Sequence, residues 1–74
     1  MKLQMYFFHR FRATSKSNGP WQILPGDSDT SYTIYGLIPD TEYEVRILSR
    51  NSMGDGMYSD AVVGSTLGRY MYVS

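Results

Sequence analysis

Between Glu42 and Asn51 the side chains alternate with period two. Tyr43, Val45, Ile47 and Ser49 fall on one side, with Glu44, Arg46, Leu48 and Arg50 on the other. Successive side chains of an extended strand point to opposite faces, whereas the apolar residues of an amphipathic helix recur every three or four positions. The run therefore reads as a strand buried on one face, and such a face needs a second packed layer.

The rest of the chain repeats the signal more weakly. In Met5 to Ala13, Phe7, His9 and Phe11 share one face, and Tyr6, Phe8, Arg10 and Arg12 share the other. Ser15 to Pro20 reads as a turn, because Asn18-Gly19 tolerates positive φ and Pro20 ends the pairing. A short strand is expected at Trp21 to Leu24, followed by a loop at Pro25-Gly26-Asp27-Ser28-Asp29. From Thr30 onward Tyr32, Ile34 and Leu37 face one way and Thr33 and Tyr35 the other, with Gly36 and Pro39-Asp40 marking a bend. Asn51 to Met57, with two glycines, is expected as a hairpin loop that returns as a strand through Tyr58 to Thr66. Leu67 to Ser74 reads as tail, although Tyr70-Met71-Tyr72-Val73 has strand-like content. Five strands joined by short loops, with no helical segment, point to an all-β sandwich.

Seventy-four residues make one domain and a thin core, since a chain of this size buries only roughly 60% of its unfolded surface. There is no cysteine and a single histidine, His9, so neither a disulfide nor a zinc site is expected. Seven basic and seven acidic residues cancel, which argues against nucleic acid and anionic membranes as partners. Lys2, Arg10, Arg12 and Lys16 precede every acidic residue. A phosphate or sulfated-sugar contact there is weighed against a solvated strand face that discourages edge pairing, and the solvated face is preferred. No apolar run is long enough to span a membrane, and the N-terminal patch lacks the cleavage pattern of a signal peptide.

Catalysis has little to work with. No Gly-x-Ser-x-Gly elbow accompanies His9. The carboxylate pairs Asp27 with Asp29 and Asp40 with Glu42 sit in turn sequences, where Asp is favoured for bonding nearby backbone. The glycine loops are not followed by a helix that could hold phosphate. The chain is thus read as no enzyme, with no cofactor and no metal.

The run Tyr32-Thr33-Ile34-Tyr35-Gly36-Leu37-Ile38-Pro39-Asp40-Thr41-Glu42-Tyr43-Glu44-Val45-Arg46-Ile47, followed by Asn51, Gly54, Gly56 and Tyr58-Ser59, resembles the E-to-F region and last strand of a fibronectin type III domain. Phe7 to Arg12 and Trp21 resemble that family's strand C and the start of C′. The resemblance implies an immunoglobulin-like β-sandwich made of strands C, C′, E, F and G, with a core over about residues 6–66 and a tail over 67–74. It also implies a tyrosine corner at Tyr43, bonded near Leu37, with Leu37, Pro39, Val45 and Ile47 as structural residues beside it. The family's first two strands have no counterpart here. Self-association, strand exchange, or coverage by Met1 to Met5 and Tyr70 to Val73 is therefore expected. His9 falls where the family has an aliphatic residue, which leaves open a register with Tyr6 and Phe8 inward.

The resemblance implies a non-catalytic protein-interaction or adhesion module of a larger multidomain protein. That parent would be an extracellular or cell-surface receptor, with a cytoplasmic muscle or signalling protein as the alternative setting. A passive spacer and an accessory carbohydrate-binding domain are the competing functions. The candidate binding residues are the aromatic and basic surface of Tyr6, Phe8, Arg10 and Trp21, and the loop tip Gly54-Asp55-Gly56. A protein partner is expected, since aromatic residues are enriched at protein interfaces. For Trp21 the balance favours packing across the sheet.

Overall fold

A computed structural model describes residues 4–74, and it is built almost wholly from antiparallel strands. In chain order these are β1 (Tyr6–Ala13), β2 (Gln22–Ile23), β3 (Tyr32–Tyr35), β4 (Glu42–Asn51), β5 (Gly54–Tyr58), β6 (Val62–Ser65) and β7 (Tyr70–Val73). A single turn of 3-10 helix at Thr14–Lys16 follows β1. The strong alternation of β4 makes it the centre of the larger sheet, whose order is β2-β1-β4-β5, with β6 also on β4. A smaller sheet of β3 and β7 forms the second layer.

The strand facing β4 on the side away from β1 is broken in two. β6 pairs with Glu42 to Val45 and β5 with Leu48 to Asn51. Ser59 bridges the break: its amide donates to the Ile47 carbonyl and its hydroxyl accepts the Ile47 N–H, both at 2.9 Å. That hydroxyl takes the place of a missing ladder carbonyl, so no amide of β4 is orphaned there. The expected loop from Asn51 to Met57 is instead a turn at Ser52 and Met53, tightened by the Asn51 side chain accepting the Met53 amide. Gly54 lies at φ +127°, and β5 begins with it. A bulge between Leu48 and Arg50 brings β5 over Ser49, where a Cβ on Gly56 would lie 2.4 Å from the Ser49 hydroxyl.

Phe11, Ile34, Leu37, Tyr43, Val45 and Val73 form the buried core, flanked by Ala13, Leu24, Tyr32 and Met71. The rings of Phe11 and Tyr43 meet edge to face at 6.0 Å. The Tyr43 hydroxyl accepts the Ile38 amide at 3.0 Å, which is the corner the sequence suggests beside Leu37. Buried Thr66 ties the adjoining bend: its hydroxyl donates to the Ile38 carbonyl at 2.6 Å, and the Asp40 amide reaches its carbonyl at 2.9 Å. Asp40 itself takes the left-handed conformation at φ 52°.

β7 corrects the reading of the C-terminal residues as tail. Tyr70 to Val73 pairs with Tyr32 to Tyr35 in full register and buries Val73 in the core. In immunoglobulin-type sandwiches strand E lies between strands B and D. β7 thus gives β3, the E-like strand, a sheet neighbour. Of the N-terminal residues expected to help cover the sandwich, Met1 to Leu3 lie outside the described residues, and Met5 is exposed.

His9 points inward and is 0% exposed, so the register with Tyr6 and Phe8 inward does not occur. Its Nε2 lies 2.8 Å from the Thr30 carbonyl, which can only accept, and therefore carries the proton. The ring lies 4.9 Å from that of Tyr32, and Nδ1 has no hydrogen-bond partner among the described residues.

Candidate functional site

The outward face of the larger sheet carries the most distinctive chemistry of the molecule. It is built in rows, because directly opposed residues of antiparallel strands share a face. Tyr6 stands opposite Arg50, Phe8 opposite Leu48, Arg10 opposite Arg46, and Arg12 opposite Glu44. β5 extends one row by placing Tyr58 opposite Leu48. Trp21, just before β2, adds an indole at the far side.

Each arginine of this face lies over an aromatic ring. Arg12 is 4.0 Å and Arg46 5.5 Å from the Trp21 ring centroid, Arg10 is 4.3 Å from that of Tyr58, and Arg50 is 4.5 Å from that of Phe8. Guanidinium planes stack well on π faces, and the attraction strengthens where water is partly excluded. Two of the four are also ion-paired, Arg12 with Glu44 and Arg50 with Asp55. Arg12 further donates to the Gly19 carbonyl at 2.9 Å, which fixes the turn carrying Trp21. The hydrogen bond from Arg50 holds the Asp55 carboxyl below the usual carboxylate range, and Asp55 in turn raises the pKa of Arg50. Arg10 and Arg46 pair with no carboxylate among the described residues.

The structure brings together Phe8, Arg10, Trp21 and Asp55 of the residues singled out in the sequence, with Tyr6 at the upper end. Gly54 and Gly56 lie on β5 and not at a loop tip: the first starts the strand and the second makes room for Ser49. Tyr35, another outward aromatic, belongs to the smaller sheet and sits 6.4 Å from Tyr70. Of the structural residues, Leu37, Tyr43 and Val45 are buried, Ile47 is half-buried and Pro39 is exposed in its bend. Lys16 is exposed in the 3-10 turn, beside the Gly19 turn to which Arg12 is bonded, and Lys2 lies outside the described residues.

Sequence reasoning passed over Arg46, Arg50, Tyr58 and Leu48 as members of this face. Leu48 is buried although it faces outward, between Phe8 on one strand and Tyr58 on the other. The alternation of β4 already set Arg46, Leu48 and Arg50 on one side. Their neighbours follow only from the register with β1 and β5.

Comparison with known proteins gives a consistent picture. The family model for the fibronectin type III domain matches residues 5–65. The chain is 41% identical over 61 residues, 82% of its length, to receptor-type tyrosine-protein phosphatase F of Homo sapiens, and 38% identical over the same share to receptor-type tyrosine-protein phosphatase S of Gallus gallus. It is 33% identical over 66 residues, 89% of its length, to protogenin of Rattus norvegicus. These stretches amount to 3%, 4% and 6% of the respective proteins. No solved structure matches the chain significantly.

Proposed function

We infer that this chain, which belongs to the fibronectin type III family, serves as a protein-interaction module within a larger cell-surface protein. The domain type is non-catalytic, and the receptor-type relatives each contain a stretch like this one as a small fraction of their length. The observation that carries the reading is the outward face of β1 and β4, where Trp21, Tyr58 and Phe8 hold four arginines in place. Tryptophan, tyrosine and arginine are the residue types that dominate binding hot spots. Side chains already stacked lose less freedom when a partner arrives.

A spacer would use no particular face. The test is a solid-phase screen of the folded chain against purified receptor ectodomains, repeated with a Tyr6→Ala/Arg10→Ala/Arg46→Ala variant. Saturable binding that the variant loses, with its urea midpoint near that of the parent, supports the module. Absence of saturable binding by the parent favours the spacer, and retention on polysaccharide the carbohydrate-binding alternative.

Self-association is a second reading, favoured by β7. Among the described residues that strand pairs with β3 on one side only, and its sequence carries no charge to guard the other edge. Tyr70, Tyr72, Leu67, Val62 and Val63 are exposed around the adjoining cleft of about 440 Å³. Pairing of β7 with that of a second copy would cover them. Light scattering across a dilution series tests it, since a mass that stays monomeric at high concentration removes this reading.

A further inference from the structure

We propose that the Arg10–Arg46 row is a carboxylate-binding site for an acidic, extended segment of a partner protein; this rests on the interaction-module reading above and names the partner's chemistry. The two arginines are direct partners across β1 and β4, and neither makes an ion pair among the described residues. Like charges directly opposed weaken a sheet. Here each side chain reaches across the other's strand to an aromatic ring on the far side. Arg10, on β1, lies over Tyr58 of β5, and Arg46, on β4, lies toward Trp21 beyond β1. The rings hold the two guanidiniums apart without neutralising them. An aromatic face leaves the N–H groups at the guanidinium edge free to meet a carboxylate through two parallel hydrogen bonds.

The neighbouring rows define what fits. Above the two arginines lie half-buried Phe8 and exposed Tyr58, which offer apolar contact over the buried Leu48, and below them Arg12 is already satisfied by Glu44. At the upper end Arg50 is satisfied by Asp55, and at the lower rim Glu42 accepts a hydrogen bond from Thr14 at 2.8 Å. Carboxylates therefore flank the free cations at both ends. A uniformly charged polyanion such as a sulfated glycan would meet Glu42, Glu44 and Asp55 along with its two cations, and it gains its affinity from many cations at once. A segment with one or two carboxylates set among apolar residues meets the pattern row by row.

The experiment is affinity selection of short random peptides, displayed on phage, against the immobilised folded chain, with heparin as a parallel probe. The expected pool is enriched in Asp and Glu next to apolar or aromatic residues. Synthetic members should bind about tenfold more weakly when their acids are changed to amides, in keeping with the loss of one charge-assisted pair. They should weaken similarly toward an Arg10→Met/Arg46→Met chain, whose apolar stems keep the packing, and binding should fall as salt rises. A pool without acidic excess that still binds saturably overturns the carboxylate site and leaves the module reading intact. So does equal binding to the Met variant, or preference for heparin. No selectable binder to a correctly folded chain overturns both.

Discussion

The two halves of β4 come from one continuous alternating strand, yet they are buried differently. Around Tyr43 and Val45 the inward side chains meet Ile34, Leu37 and Val73 across the sandwich and are sealed. Around Ile47 and Ser49 they border an open cleft with Phe7, Thr30 and Met57. The cause is length. β3 and β7 have four residues each, so at about 3.3 Å per residue they span roughly 13 Å, against roughly 33 Å for the ten residues of β4. Alternation makes a face eligible for burial, but the reach of the opposite layer determines how much of it is buried.

The sharpest test of this contrast removes the same atoms at each end. Ile34→Ala, at a site 1% exposed, is expected to cost about 3 kcal/mol, because the sealed core cannot collapse onto the void. Ile47→Ala should cost about half of that or less, since solvent already reaches the site. Urea unfolding of both variants measures the difference, and equal losses would mean that the open end is covered in solution. Tyr43→Phe tests the closed end differently: losing the bond to the Ile38 amide should cost about 1 kcal/mol and lower the melting temperature. An unchanged melting temperature would remove the corner from the account of stability.

The smallest effect is expected on the outward face of the open end. The Asp55 carboxyl is held below its usual range chiefly by the hydrogen bond from Arg50. The unfolded chain therefore takes up that proton more readily than the folded one. The pair's contribution is complete above the ordinary carboxylate pKa of about 3.9 and fades as pH falls through the lowered value. Carboxyl NMR titration should place Asp55 below the ordinary carboxylate range, and Arg50→Gln should move it back toward that range. A titration unaffected by Arg50→Gln would show that the ion pair does not persist in solution.

Much of the fold was legible before any coordinates. The bounds of β4 coincide with the alternating run, the inward face of β1 is Phe7, His9 and Phe11 as spaced, and Tyr43 bonds where the corner pattern indicates. Local chemistry sets each of these. The Asn51–Met57 segment was harder to read, because glycine marks both loops and bulges, and only the approach of β5 to Ser49 tells the two apart. β7 was harder still: four neutral residues after Gly68-Arg69 read equally as tail or strand until β3 offers its open edge.

The candidate site divides in the same way. The sequence by itself determined that Tyr6, Phe8, Arg10 and Arg12 share one face of a strand, and that Arg46, Leu48 and Arg50 share one face of another, because side-chain direction in a strand depends only on parity. Which arginine meets which ring, why Arg10 and Arg46 stand opposed without a carboxylate, and how an outward leucine becomes buried were decided only by tertiary structure. Register is a relation between distant segments, and no property of either segment alone contains it.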